Sequence, residues 1–196
     1  MNHKAVMNDM KYSLKQVERA KPIIKDLLNG GEIKAVEGEE NEICKMLDLT
    51  CGTDYFQIYS KNDKKLDGLV WGVASRFQKV RHGFKPYNTF TIRRSRESGA
   101  VTEYAKRKFA IKYGGTYPFL TMQGYYDSQT EEILSLAIAK TTDIFDAIEN
   151  GLYSIRETGY EQIGQATFFV VDWDVFKKNG YNLKLYQCNA AESHED

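Results

Sequence analysis

The sequence predicts one α+β domain in which a mixed, mostly antiparallel sheet is flanked by helices. Three observations carry that expectation. Short runs of aromatic and β-branched residues follow one another across brief turns, and strands joined in that way pair antiparallel. Other segments repeat apolar residues at the spacing of a helix face. The 196 residues hold no internal repeat, low-complexity stretch or linker, and a chain of this length buries enough surface for one core.

The first helix is read from Ser13-Leu-Lys-Gln16, which fits a capping box, and from apolar Leu14, Val17, Ile24, Leu27 and Leu28. Pro22 lies within it, and Gly30 and Gly31 stop it. Residues 1–10 and 190–196 are expected as frayed ends. Glu32 to Val36 reads as a short strand, Asn41 to Leu49 as a short acidic helix, and Asp54 to Tyr59 as a strand closed by the turn Lys61-Asn-Asp-Lys64.

Leu69 to Val80 and Thr89 to Arg94 form the next two strands, joined as a hairpin through Gly83 and Pro86. A helix follows from Gly99 to Lys112, with Val101, Ala105 and Phe109 toward the core and Glu103, Lys106 and Arg107 pointing away. Gly114-Gly115 ends it. Tyr117 to Tyr126 and Ile133 to Ala139 are two strands across the Asp127 to Glu132 turn. A helix at Thr142 to Glu149, a strand at Thr167 to Val171, a helical piece at Asp174 to Lys178 and a strand at Leu183 to Tyr186 complete the order.

Basic and acidic residues balance at 27 each, which removes any argument from net charge for a nucleic-acid or anionic-membrane partner. Their distribution is uneven. Ten Lys or Arg and only two acids lie between Arg76 and Lys108, a local net of +8 against −8 for the rest. No apolar run reaches the roughly 20 residues of a membrane span, and the polar start lacks a signal-peptide core. The expectation is a cytoplasmic protein with no membrane partner. Cys44, Cys51 and Cys188 have neither disulfide nor zinc spacing, and with His3 and His194 in the ends only His82 is placed for catalysis.

Alternation along the second long strand places Val70, Gly72, Ala74, Arg76 and Gln78 on one face, with Trp71, Val73, Ser75 and Phe77 on the core side. Thr91 and Arg93 share a face of the next strand. Pairing of those strands would bring Arg76, Gln78 and Arg93 together with Asp54. Such a cluster suits phosphate, because guanidinium groups bind its oxygens in a fork, and it equally suits a buried Asp54–arginine salt bridge. Arg93, Arg94 and Arg96 precede a helix start, and Lys106, Arg107 and Lys108 add charge further along. Tyr87, Phe90 and Tyr104 are candidate stacking groups for bases.

The order of a helix, a strand headed by Asp54, a strand ending Ser75-Arg-Phe-Gln78, a further strand, a helix and a strand resembles the core of the PD-(D/E)XK nuclease superfamily. There, a strand-borne Asp and an acid-x-Lys pair hold a divalent metal that activates water. The resemblance implies Asp54 as the first metal ligand, Glu42 as an additional acid and Gln78 at the lysine position, with Mg²⁺ as the cofactor of any residual hydrolysis. Arg76 stands where the second acid belongs, and its charge opposes a metal. The pattern implies a degenerate member that is not an efficient nuclease.

Thr53-Asp-Tyr, Gly72 to Gln78, Thr89 to Arg93 and Thr102-Glu-Tyr are also similar to small phage and prophage proteins. Three functional expectations follow. The first is a nucleic-acid-interacting protein that contacts DNA or RNA through residues 76–108. The second is a non-enzymatic inhibitor of the anti-defence type, acting in the host cytoplasm on a host protein such as a defence nuclease. The third is an enzyme acting on a small phosphorylated substrate through Asp54, Arg76 and Arg93.

Overall fold

Helix α1 (His3–Leu27) buries Val17, Ala20 and Ile24, with Leu28 just past its end, and this stripe at three- and four-residue spacing seats it on a sheet. The computed structural model describes residues 3–36, 51–59, 69–160 and 164–188, together with residues 42, 44 and 47. The expected Asn41 to Leu49 helix, the Lys61 to Lys64 turn and the 190–196 tail fall wholly or mostly outside these residues. Helix α1 already runs at His3, so residues 3–10 are helical and Ser13 is an interior residue, not a cap.

The main sheet has the order β1 (Glu32–Ala35), β2 (Tyr55–Ile58), β3 (Val70–Val80), β5 (Leu120–Asp127), β6 (Ile133–Lys140), β9 (Lys184–Gln187). All its pairs are antiparallel except β3 with β5. That parallel pair needs a long connection, which here contains β4 (Thr89–Arg96) and helix α2 (Glu103–Tyr113). Strand β5 is buried along its whole length, with one face on α1 and the other under the second layer. The fold is the expected α+β arrangement.

Strands β3 and β4 do not form the expected hairpin. Strand β5 lies beside β3 from Val73 to Val80, and β4 leaves to pair with β8 (Gly164–Asp172) in a second sheet of order β4-β8-β7. Strand β7 (Ser154–Tyr160) was not expected from sequence; its exposed, largely polar residues carry little apolar alternation. Phe90 and Ile92 on one face of β4 join a core with Tyr125, Ala137 and Ala139 of the main sheet. Thr91, on the opposite face, touches Arg76, Gln78 and Gln123 of that same sheet. Both faces of β4 therefore meet the main sheet, which places β4 edgewise over it. One side of the second sheet is closed by helices α3 (Thr141–Glu149) and α4 (Trp173–Lys178).

Helix α2 is turned relative to expectation. Thr102 caps its start by accepting from the Ala105 N–H, and Gly114 ends it in the left-handed region. Tyr104 and Ile111 pack on the core while Arg107 is 5% exposed. Val101 and Phe109, the expected core side, are each 66% exposed. Tyr104 decides the orientation, because it stacks on Phe145 at 5.3 Å and meets Phe169 at 4.7 Å. Phe109→Ser is therefore expected to change the unfolding free energy by less than about 0.5 kcal/mol. Arg107→Ala should cost about 3 kcal/mol or more, since it empties a buried site and removes the cation whose charge Glu103 and Asp54 share. Urea melts of the two variants check the contrast.

Candidate functional site

Strand β2 pairs with β3 only as far as Val73, so the N–H of Ser75 needs another acceptor. The Asp54 carboxylate supplies it, with Oδ2 accepting from Ser75 N–H. Asp54 thus completes the backbone pairing of the sheet, and its charge is felt by Arg107. Arg76 reaches toward α2, where Nη2 lies 2.9 Å from Glu103 Oε1, while Nη1 is 3.5 Å from Thr91 Oγ1. The other Glu103 oxygen accepts from Arg93 N–H at 3.3 Å.

Glu103, expected to point away from the core, instead turns inward among three arginines. Burial alone would raise its pKa, but Arg76, Arg107 and Arg93 outweigh that cost and hold the carboxyl at about 2. Burial, and then the neighbouring Arg76, push Arg93 down to about 10, so it stays charged at neutral pH. Arg107 is lowered chiefly by its own burial, against the pull of Glu103 and Asp54. Its guanidinium lies under Gly52, where an added Cβ would stand 3.6 Å from Nη2.

Thr91 links the two sheets. Its hydroxyl donates to Gln123 Oε1 at 3.1 Å and accepts from Gln78 Nε2 at 3.4 Å. Beyond it the second sheet presents an open face. Arg93, Phe168 and Arg156 are cross-strand neighbours on β4, β8 and β7. A bulge between Arg93 and Ser95 lets Arg96 pair with Ala166, returning it to the face of Arg93 instead of the opposite one. The guanidiniums of Arg76 and Arg93 lie 5.3 and 5.5 Å from the Phe168 ring centre. Between this face and β3 is a cleft of about 370 Å³, lined among others by Gln78, Lys79, Tyr87, Thr91, Arg156 and Phe168.

Family models, curated proteins and solved structures give no match to this chain.

The sequence-predicted residues divide into two groups. Arg76, Gln78 and Arg93 do meet, although through facing sheets and not through a hairpin. Arg107 is buried, so it is not part of an exposed anion-binding surface, and the expectation that it points away is corrected. Lys108 reaches Glu149 at 3.0 Å and the Tyr104 hydroxyl at 3.2 Å, while Arg94, Arg96 and Lys106 are exposed. Of the three stacking candidates, Phe90 and Tyr104 belong to the core, and Tyr87 is 61% exposed. Sequence reasoning missed Arg156, because β7 was not recognised, and Phe168, which lies in the expected Thr167 to Val171 strand but was not singled out. Alternation of Ser154, Arg156 and Thr158 was the available signal.

The donors present do not fit Mg²⁺. Asp54 is engaged with Ser75, Glu103 is held by Arg76 and Arg93, and Arg107 adds positive charge between them. Glu42 is exposed, and among the described residues no three His, Cys, Asp or Glu side chains cluster closely enough to hold a metal ion.

The Glu103 carboxyl, lowered from an ordinary 4.5 to about 2, contributes stability that is present above about pH 4.5 and is lost as pH falls toward 2. Partial exposure keeps the contribution at or below about 3 kcal/mol. Urea melts between pH 7 and pH 3 should show a loss for the native protein that is smaller in Glu103→Gln. Equal losses would show that Glu103 ionises normally.

Proposed function

We propose that the protein binds nucleic acid without cleaving it, as a phage-type protein acting on DNA or RNA. One observation carries the reading. Strands β3, β4 and β7 each contribute arginine to one open face, namely Arg76, Arg93, Arg96 and Arg156, arranged around Phe168. Among the described strand residues on that face no acid opposes them until Asp172, which is occupied in capping α4 through the Asp174 and Val175 N–H groups. Guanidinium groups spaced over a sheet face supply the phosphate contacts on which sequence-independent affinity depends. The order β2, β3, β4, α2, β5 is the part of the nuclease-like order that falls within the described residues. The Arg76–Glu103 pair supports a binding role over a hydrolytic one, because it sets a cation where the second metal-binding acid would stand.

A second reading, an inhibitor that binds a host protein such as a defence nuclease, is favoured by a different surface. Val101, just before α2, and Phe109 and Tyr113 on it are exposed, with the Phe109 and Tyr113 rings 4.6 Å apart.

Titration of labelled oligonucleotides at several salt concentrations tests the nucleic-acid reading. Binding is expected at about 50 mM salt and should weaken steeply as salt rises. The double variant Arg96→Ala/Arg156→Ala should bind about tenfold or more weakly, with the slope of log K against log salt reduced by roughly 1.5 to 2, one phosphate contact per arginine. Both side chains are exposed, so the fold should tolerate their loss. Absence of binding at about 50 mM salt would favour the protein-partner reading.

A further inference from the structure

The cleft beside the arginine face differs from the face itself in carrying an accessible aromatic ring. Tyr87 stands on the β3–β4 loop at its mouth, edge-on to Tyr125 at 6.3 Å, with the Arg156 guanidinium 5.3 Å from its ring centre. Tyr125 is itself fixed, its hydroxyl donating to the Thr89 carbonyl at 3.0 Å. The cleft therefore has a supported ring on one side, the cations of Lys79 and Arg156, and the Gln78 carboxamide held against Thr91. Among the described residues that line it none is acidic.

We infer that this cleft receives an unpaired nucleotide, so that the nucleic acid bound is single-stranded, with a base on Tyr87 and its phosphate between Lys79 and Arg156. The inference rests on the nucleic-acid reading and narrows it. A volume of about 370 Å³ is near the lower end of ligand clefts, about 300–1,000 Å³, and admits one nucleotide. Bases within a duplex have both faces covered by their neighbours, so a ring inside a concave site can stack only on a base that has left the stack. Arg156 already lies against Tyr87, and guanidinium–aromatic stacks of this kind extend readily over a base. Gln78 offers both a donor and an acceptor to a base edge. Strand β4 extends the path from the cleft along Arg93 and Arg96, a track on which neighbouring phosphates would lie.

The test compares a single-stranded oligonucleotide of about 12 nucleotides, within the usual site size of single-strand binders, with a duplex of the same sequence and with a mononucleotide. The single strand should bind the native protein about tenfold or more tightly than either competitor. Tyr87→Ala should lower single-strand affinity by about tenfold, the ordinary value of one base–aromatic stack, with Tyr87→Phe restoring it and duplex affinity unmoved. A base analogue such as 2-aminopurine in the oligonucleotide should be quenched on binding by the native protein and not by Tyr87→Ala. Equal affinity for single strand and duplex, or an unaltered Tyr87→Ala variant, overturns the inference. If Arg96→Ala/Arg156→Ala still weakens binding in that case, the broader nucleic-acid reading stands. A mononucleotide that binds as tightly as the oligonucleotide overturns it in favour of a small-ligand site.

Discussion

The Glu103 carboxylate, placed among Arg76, Arg93 and Arg107, is the interaction on which the arrangement of the two sheets depends. Three guanidiniums from β3, β4 and α2 cannot approach one another in a partly buried space without an anion between them, because each would be both desolvated and repelled. Glu103 supplies that anion from the first turn of a helix, where a negative side chain also complements the positive helix end. Asp54 supplies the second negative charge felt by Arg107. The ion pair spans β3 and α2, while the Arg93 N–H attaches β4 to the same carboxylate. Removal of that one group would leave the buried Arg107 and the half-buried Arg76 and Arg93 without their shared counter-charge, a larger perturbation than the loss of an exposed pair such as Lys108–Glu149.

This constraint also shapes the open face. With Arg76 and Glu103 holding β4 against the main sheet, the apolar side of the second sheet closes over Tyr104, Phe145, Trp173 and Phe176. Its other side carries Arg93, Phe168 and Arg156, and cannot be covered by the main sheet, because β4 meets that sheet edgewise. The cleft between them is a consequence of that geometry. The β-bulge after Arg93 extends the basic row by bringing Arg96 to the same side, while Arg94, at the irregular position, lies over Phe169 on the other face, 5.5 Å from its ring centre.

Much of the fold was legible because it follows from local periodicity. The stripe Val17, Ile24, Leu28, the alternation of β3 and the Asp127 to Glu132 turn each determine their element without reference to the rest of the chain. Where the sequence misled, two arrangements satisfied the same local pattern. The segment 101–111 offers Val101, Ala105 and Phe109 as one apolar row and Tyr104 and Ile111 as another, and the choice is made by Phe145 and Phe169, far along the chain. The loop after Val80 is compatible with a hairpin, but β5 fills the place beside β3. Of the site, the meeting of Arg76, Gln78 and Arg93 was legible, while the place of Asp54 on Ser75 N–H and the inward turn of Glu103 were not. Partner choice among one carboxylate and three guanidiniums is a tertiary decision that spacing does not encode.

The same electrostatics that fix the fold oppose the seating of a divalent metal ion at this place. A metal-assisted nuclease needs carboxylates whose lone pairs converge on one ion, which requires them to be free of cations until the ion arrives. Here the two acids nearest the sheet face are already committed, Asp54 to a backbone N–H and Glu103 to arginine. Their function is to make the concentration of positive charge tolerable at low solvent exposure, and what remains after pairing is an excess of guanidinium on the outer side. Arg93 remains protonated with a pKa of about 10 despite its burial, and Arg96 and Arg156 face solvent. An anionic ligand arriving at that face would complete a charge balance that the protein leaves unfinished on this face. That imbalance is what the proposed reading, binding without bond cleavage, rests on.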